Sequence, residues 1–130
     1  MTVLVASGND GALGRAARRN PEACRYSPSY PATSQFVTAV GATFGPERGF
    51  RETACQSHLG GIVTSGGGFS GRVPVPSWQR DSVSGYFDGL RTKPYPGYGR
   101  GRGIPDVSLL AHNHQVSIAG EDYILSGYMP

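Results

Sequence analysis

The sequence predicts an α/β fold organised around a small parallel sheet, and three observations predict it. Short apolar or β-branched runs recur along the chain and stop at a glycine or a turn; one stretch carries a clear helical period; proline- and glycine-rich connectors separate them.

Taken in order, residues 2–6 (Thr-Val-Leu-Val-Ala) end at Ser7-Gly8 and read as a central strand followed by a tight loop through Gly11. Residues 12–20 have room for one or two helical turns before Pro21. Residues 26–31 hold two prolines and form an extended connector. Residues 36–40 (Phe-Val-Thr-Ala-Val) are a second short strand that stops at Gly41, as expected of a strand buried on both faces. The charged stretch 44–59 reads as a surface excursion, and residues 62–64 as a brief strand leading into Ser65-Gly66-Gly67-Gly68. Ser77 can cap a helix beginning at Trp78, with Val83, Phe87 and Leu90 on one face and Trp78 in the core. Residues 92–103 are loop, Leu109-Leu110 opens another buried stretch, and residues 115–118 and 123–125 flank Ala-Gly-Glu-Asp as a hairpin. One helix cannot cover such a sheet, so the remaining cover is expected outside these residues.

With 130 residues, the chain has the length of one domain. Twenty Gly and ten Pro make it loop-rich, but seven Tyr, five Phe and one Trp supply material for a core. A net charge of +3, with the basic residues spread along the chain, gives no concentrated footprint for nucleic acid. No apolar run approaches membrane-spanning length. Neither nucleic acid nor membrane is therefore expected as a partner.

Cys24 and Cys55 can pair in one way only; the bridge would close a loop of about thirty residues and stabilise by roughly 3–4 kcal/mol, and two unpaired thiols are the alternative. Neither they nor His58, His112 and His114 have the spacing of a metal site, and the histidines read as surface residues, the last two on one strand face. The buried-type run at the start and the strand-like run before the finish make both ends look cut.

Five blocks resemble, in order, the sedolisin family of acid-active serine-carboxyl peptidases, which includes the tripeptidyl peptidases. Residues 3–12 (Val-Leu-Val-Ala-Ser-Gly-Asn-Asp-Gly-Ala) are similar to the strand and loop bearing that family's oxyanion residue, and residues 28–43 to its next strand. Residues 64–70 (Thr-Ser-Gly-Gly-Gly-Phe-Ser) with 73–79 (Val-Pro-Val-Pro-Ser-Trp-Gln) are the most diagnostic block. Residues 101–108 (Gly-Arg-Gly-Ile-Pro-Asp-Val-Ser) form the fourth, and residues 116–127 resemble the hairpin leading into a Ser-Gly-Thr-Ser nucleophile turn.

The resemblance implies a subtilisin-like parallel sheet with flanking helices, of which residues 1–130 form a partial domain. It implies acyl transfer to a Ser activated by a Glu with an Asp behind it, and a peptide or protein substrate. The Glu and its Asp belong to a helix upstream of the oxyanion strand, and Tyr128-Met129 stands where Thr-Ser is expected. The thioether of Met129 cannot attack a carbonyl, so the chain alone is expected to be inactive. The family's calcium loop lies downstream, leaving no cofactor to expect here, and the family implies secretion or a lysosome-like acidic compartment in which a Cys24–Cys55 bridge could persist.

In the Ser7-Gly8-X register the oxyanion position falls on Asn9, with Asp10 as the alternative one residue on. An Asn amide is a permanent N–H donor, whereas an Asp carboxyl donates only when protonated. The same residues with Gly11 are also good turn formers. Ser65, Gly66, Gly67 and Gly68 would let a substrate strand pair closely with the backbone, or would simply make a turn. Asp106 beside Arg102 reads as a structural ion pair. Two other classes stand beside the peptidase fragment: a peptide-binding pseudopeptidase, and a nucleic-acid binder using the Arg/Gly stretch 95–102.

Overall fold

The computed structural model describes residues 1–20, 28–92 and 100–126. Its centre is β2 (Thr38–Phe44). β1 (Leu4–Ala6) pairs with it in parallel, Leu4 opposite Thr38 and Ala6 opposite Val40. β6 (Val107–Leu110) pairs in parallel with residues 40–43 of β2. The two-residue β3 (Thr53–Ala54) caps the far end of β2 in antiparallel sense. The central strand is thus β2, and β1, expected at the centre, pairs with β2 alone among the described residues.

β2 also runs through Gly41 rather than stopping there. A Cβ at Gly41 would meet Pro105 Cγ at 2.6 Å and Ser108 Oγ at 2.7 Å, so the glycine lets β6 lie close against β2 instead of ending the strand. Alternate residues of β2 enter two small cores on opposite faces. Ala42 and Phe44 pack with Cys55 and Ala111, while Ala39 packs with Ala32 and Ile104. Burial on both faces explains why this segment is a continuous apolar run.

Two further two-stranded units attach to this sheet. β4 (Gly68–Pro74) pairs antiparallel with the wholly buried β5 (Gly101–Ile104). β7 (His114–Ile118) and β8 (Glu121–Leu125) form the expected hairpin, with Ala119 and Gly120 at positive φ in its two-residue turn. A 3-10 turn at Gly11–Leu13 and the short α1 (Gly14–Arg19) follow β1.

The longer α2 (Arg80–Asp88) follows a 3-10 turn at Ser77–Gln79. No side chain caps either element, so Ser77 does not act as the expected cap; Pro76 and the turn before α2 set its direction. α2 docks on β4 through a ring cluster in which Phe69 lies 4.9 Å from Phe87 and 5.7 Å from Tyr86.

Two apolar expectations are corrected. Leu109 is 61% exposed and Trp78 57% exposed rather than buried. β6 keeps its backbone ladder to β2 but leaves its side chains uncovered, as β1 leaves Leu4. The Trp78 ring lies over the Arg102 guanidinium, 5.0 Å from its carbon, on the outer side of a buried polar hub.

Candidate active site

Two segments that lie more than fifty residues apart in sequence, the loop after β1 and the glycine run, are laced together by backbone hydrogen bonds. The Thr64 N–H donates to the Asn9 carbonyl (3.1 Å), the Gly11 N–H to the Thr64 carbonyl (3.0 Å), and the Gly66 N–H to the Gly8 carbonyl (2.7 Å). Ser7 remains tied to the sheet, its N–H donating to the Val40 carbonyl at 2.8 Å. Ser65 bridges inward: its N–H donates to the Cys55 carbonyl (2.8 Å) and its Oγ accepts the Ala42 N–H (3.1 Å). The strand end of β1 therefore holds both candidate segments in one place.

Gly66 is at the crossing point. A Cβ there would collide with the Ser7 carbonyl and the Gly8 Cα, so glycine is needed to admit this chain's own backbone. Gly8, at φ +116, occupies a region that other residues rarely enter.

Beyond the crossing the loop presents Asn9 to solvent, whereas Asp10 is half-buried, forms a parallel bridge with Thr64 and stands before the Gly11–Leu13 turn. Gly11, next along the loop, lines a cavity of about 660 Å³. Ser65, Gly67 and Gly68 line it as well, and Gly66 does not. Its apolar wall comes from Phe69, Val83, Tyr86 and Ile104, and no charged side chain lines it among the described residues.

Known proteins share both sequence and fold with the chain. A tripeptidyl-peptidase SED3 of Arthroderma otae is 36% identical over 132 residues, and tripeptidyl-peptidase 1 of Macaca fascicularis 34% identical over 119. These matches take in 98% and 89% of this chain but 20% of each relative, so the chain spans about a fifth of their length. A solved Pseudomonas sedolisin, a serine-carboxyl proteinase complexed with two molecules of pseudo-iodotyrostatin, superposes with a TM-score of 0.60 at 27% identity, covering 98% of this chain and 34% of that one. Over nearly its whole length the chain is similar to part of the sedolisin-family peptidases. No protein-family model matches it.

The fold is accordingly the subtilisin-like α/β fold of that sedolisin, present in part. Against the family's roles, Asn9 and Asp10 lie on the loop beside the glycine run. Gly127, Tyr128 and Met129, which the sequence resemblance sets at the nucleophile turn, lie outside the described residues, as do Cys24 and residues 95–99 of the Arg/Gly stretch. Cys55 carries a buried free thiol that donates to the Val63 carbonyl (3.2 Å), and the Cys24 half of the possible bridge lies outside the described residues. Among the described residues no three His, Cys, Asp or Glu side chains converge to hold a metal.

Arg102 has no side-chain exposure and is unavailable to a nucleic acid. Its Nη1 and Nη2 donate to Asp106 Oδ1 (2.8 Å) and Oδ2 (2.5 Å). Asp106 Oδ2 also accepts the Ala39 N–H (2.8 Å), and Asp106 is the brace the sequence indicated. Composition did not single out Gln79, whose amide exchanges two hydrogen bonds with the Gly103 backbone (2.7 and 2.9 Å). Its place at the end of the Val-Pro-Val-Pro-Ser-Trp-Gln block was the available signal. Gln79, Arg102 and Asp106 together fix β5, β2 and the start of α2, the frame around the cavity.

The histidines divide. His58 and His114 are exposed, while His112 lies before β7 rather than on it and is buried against Glu47, Arg48 and Phe44. Its burial corrects the reading of all three as surface residues.

Proposed function

We propose that this chain supplies the oxyanion side of a serine-carboxyl peptidase acting on peptide bonds at acid pH, with Asn9 as the oxyanion donor. The reading rests on one arrangement: Asn9 is exposed at the end of β1, and its own carbonyl is locked by Thr64 at the edge of the glycine run. Backbone fixed in this way holds a donor in place before charge develops on a substrate carbonyl. Asp10, half-buried and engaged in the turn, is less free to face that oxygen. Ser65, Gly67 and Gly68 then border the uncharged cavity beside the reacting bond, a surface on which a peptide can lie.

Hydrolysis also requires a nucleophile and a base. Met129 at the aligned nucleophile position cannot attack, and these 130 residues by themselves do not hydrolyse peptides. Met129 also favours a second reading, a peptide-binding pseudopeptidase built on the same scaffold. For either reading the family setting is an acidic secretory or lysosome-like compartment; among the described residues no helix is long and apolar enough to cross a membrane.

The experiment is a transplant. Residues 1–127 replace the matching stretch of the Pseudomonas enzyme, whose own nucleophile and base remain, and peptide hydrolysis is followed at acid pH. Cleavage by the folded chimera supports the peptidase reading. A folded chimera that binds peptide without cleaving it supports the pseudopeptidase.

A further inference from the structure

Away from the candidate site, the turn after β2 and the segment before β7 enclose a buried ionisable cluster. A 3-10 turn at Pro46–Arg48 carries Glu47 and Arg48 against the buried His112. Arg48 Nη2 lies 3.2 Å from His112 Nε2. A guanidinium can only donate, so Nε2 accepts and the ring hydrogen sits on Nδ1. Nδ1 faces Glu47 Oε1 at 3.6 Å, too long for a hydrogen bond, and both atoms are buried without a hydrogen-bond partner. Two facing buried polar atoms left unpaired are a costly arrangement that closer approach would relieve.

Glu47 and Arg48 are the charged groups facing His112. β2 presents the Phe44 ring, 6.5 Å from the imidazole, and beyond it Thr43, whose hydroxyl holds Glu52. On the following strand, the exposed His114 turns its Nε2 to the Leu110 carbonyl. Arg48 also reaches the next loop: its Nη1 lies where a Cβ on Gly60 would be 3.2 Å away. Gly60 closes the 3-10 turn Ser57–Leu59, which leads through Gly61 and Val63 to Thr64 and Ser65.

We propose that His112 is a proton-operated latch, in which protonation at Nε2 expels Arg48 from its place beside Gly60 and loosens the turn that leads to Thr64 and Ser65. The proton comes from solvent and adds to the lone pair that Arg48 occupies at neutral pH. Nε2–H then opposes the guanidinium donor, while the imidazolium gains an ion pair with Glu47 through Nδ1. Arg48, already partly exposed, moves outward, and its packing against Gly60 is lost. The latch is closed at neutral pH and open in acid, and it acts on the loop tied to Asn9.

The test is heteronuclear NMR of the full chain, followed from neutral pH downward through the titration of His112. His58→Gln is introduced first, because that exposed imidazole lies beside Gly60. The latch requires the Nδ1–H tautomer of His112 at the upper pH, and Gly60 and Gly61 amide signals that move with the His112 titration midpoint. An Nε2–H tautomer overturns it, as do Gly60 and Gly61 signals that stay fixed while His112 titrates. Arg48→Met then separates the latch from an indirect effect: His112 should still titrate and the Gly60 and Gly61 shifts should vanish. Shifts that persist without Arg48 overturn the proposal.

Discussion

Arg102 and Asp106 form a two-point ion pair at 2.8 and 2.5 Å, with the guanidinium fully buried and the carboxylate also holding the Ala39 N–H of β2. The guanidinium donates further to the carbonyls of Ser34, Val37 and Gly103. One side chain thus joins β5, the approach to β2 and the residue that opens β6.

Removing one partner strands the other. Asp106→Asn leaves Arg102 charged and buried, and should destabilise the chain by about 3–5 kcal/mol in urea unfolding. Replacing both, as Asp106→Asn with Arg102→Met, should recover part of that loss. An Asp106→Asn variant as stable as the parent would mean that the pair does not organise the frame.

The crossing at Gly66 should be as intolerant. Gly66→Ala forces a Cβ into the Ser7 carbonyl, a backbone atom that cannot step aside, and should lower stability by about 1–3 kcal/mol. Gly71→Ala, with no atom within 4 Å of the added carbon, is the matched control and should stay within about 0.5 kcal/mol. Thermal unfolding of the two variants reads the difference.

Much of this frame was legible in the residues, for definite reasons. β1, β2 and the β7–β8 hairpin are β-branched or alternating runs bounded by glycine, and their local pattern agrees with their pairing. Gly41 misled because a glycine that ends a strand and one that admits a neighbouring strand look alike in sequence; only Pro105 and Ser108, over sixty residues away, distinguish them. Leu109 and Trp78 misled for the converse reason: apolar character says that a side chain can be buried, and the described residues supply nothing to cover β6. At the site, family motifs brought Asn9 and the glycine run into view together. They did not reveal that Gly66 serves Ser7, or that His112, Glu47 and Arg48 meet, because no motif spans those contacts.

Glu47 makes stability depend on acid. Partial burial pushes its carboxyl up, but backbone hydrogen bonds, including the Gly45 N–H at 2.8 Å, together with the positive charge carried by the His112–Arg48 pair, outweigh this and hold it below the ordinary carboxylate value. A carboxylate depressed by folding stabilises above its unfolded pKa, and that contribution fades as pH falls through the folded one. The parent should therefore lose stability below the ordinary Glu range more steeply than Glu47→Gln. Parallel acid unfolding curves for the two proteins would contradict the assignment.

The oxyanion role of Asn9 can be read from kcat/KM of the transplanted peptidase with Asn9→Ala and Asp10→Ala, across pH. Asn9→Ala should lower activity by about 100–1,000-fold at constant folding, the typical loss for such a donor. Asp10→Ala should change it little, and Asn9→Asp should confine activity to acid, where the carboxyl can still donate. A large loss with Asp10→Ala and none with Asn9→Ala would contradict the assignment and move the oxyanion position one residue along the loop.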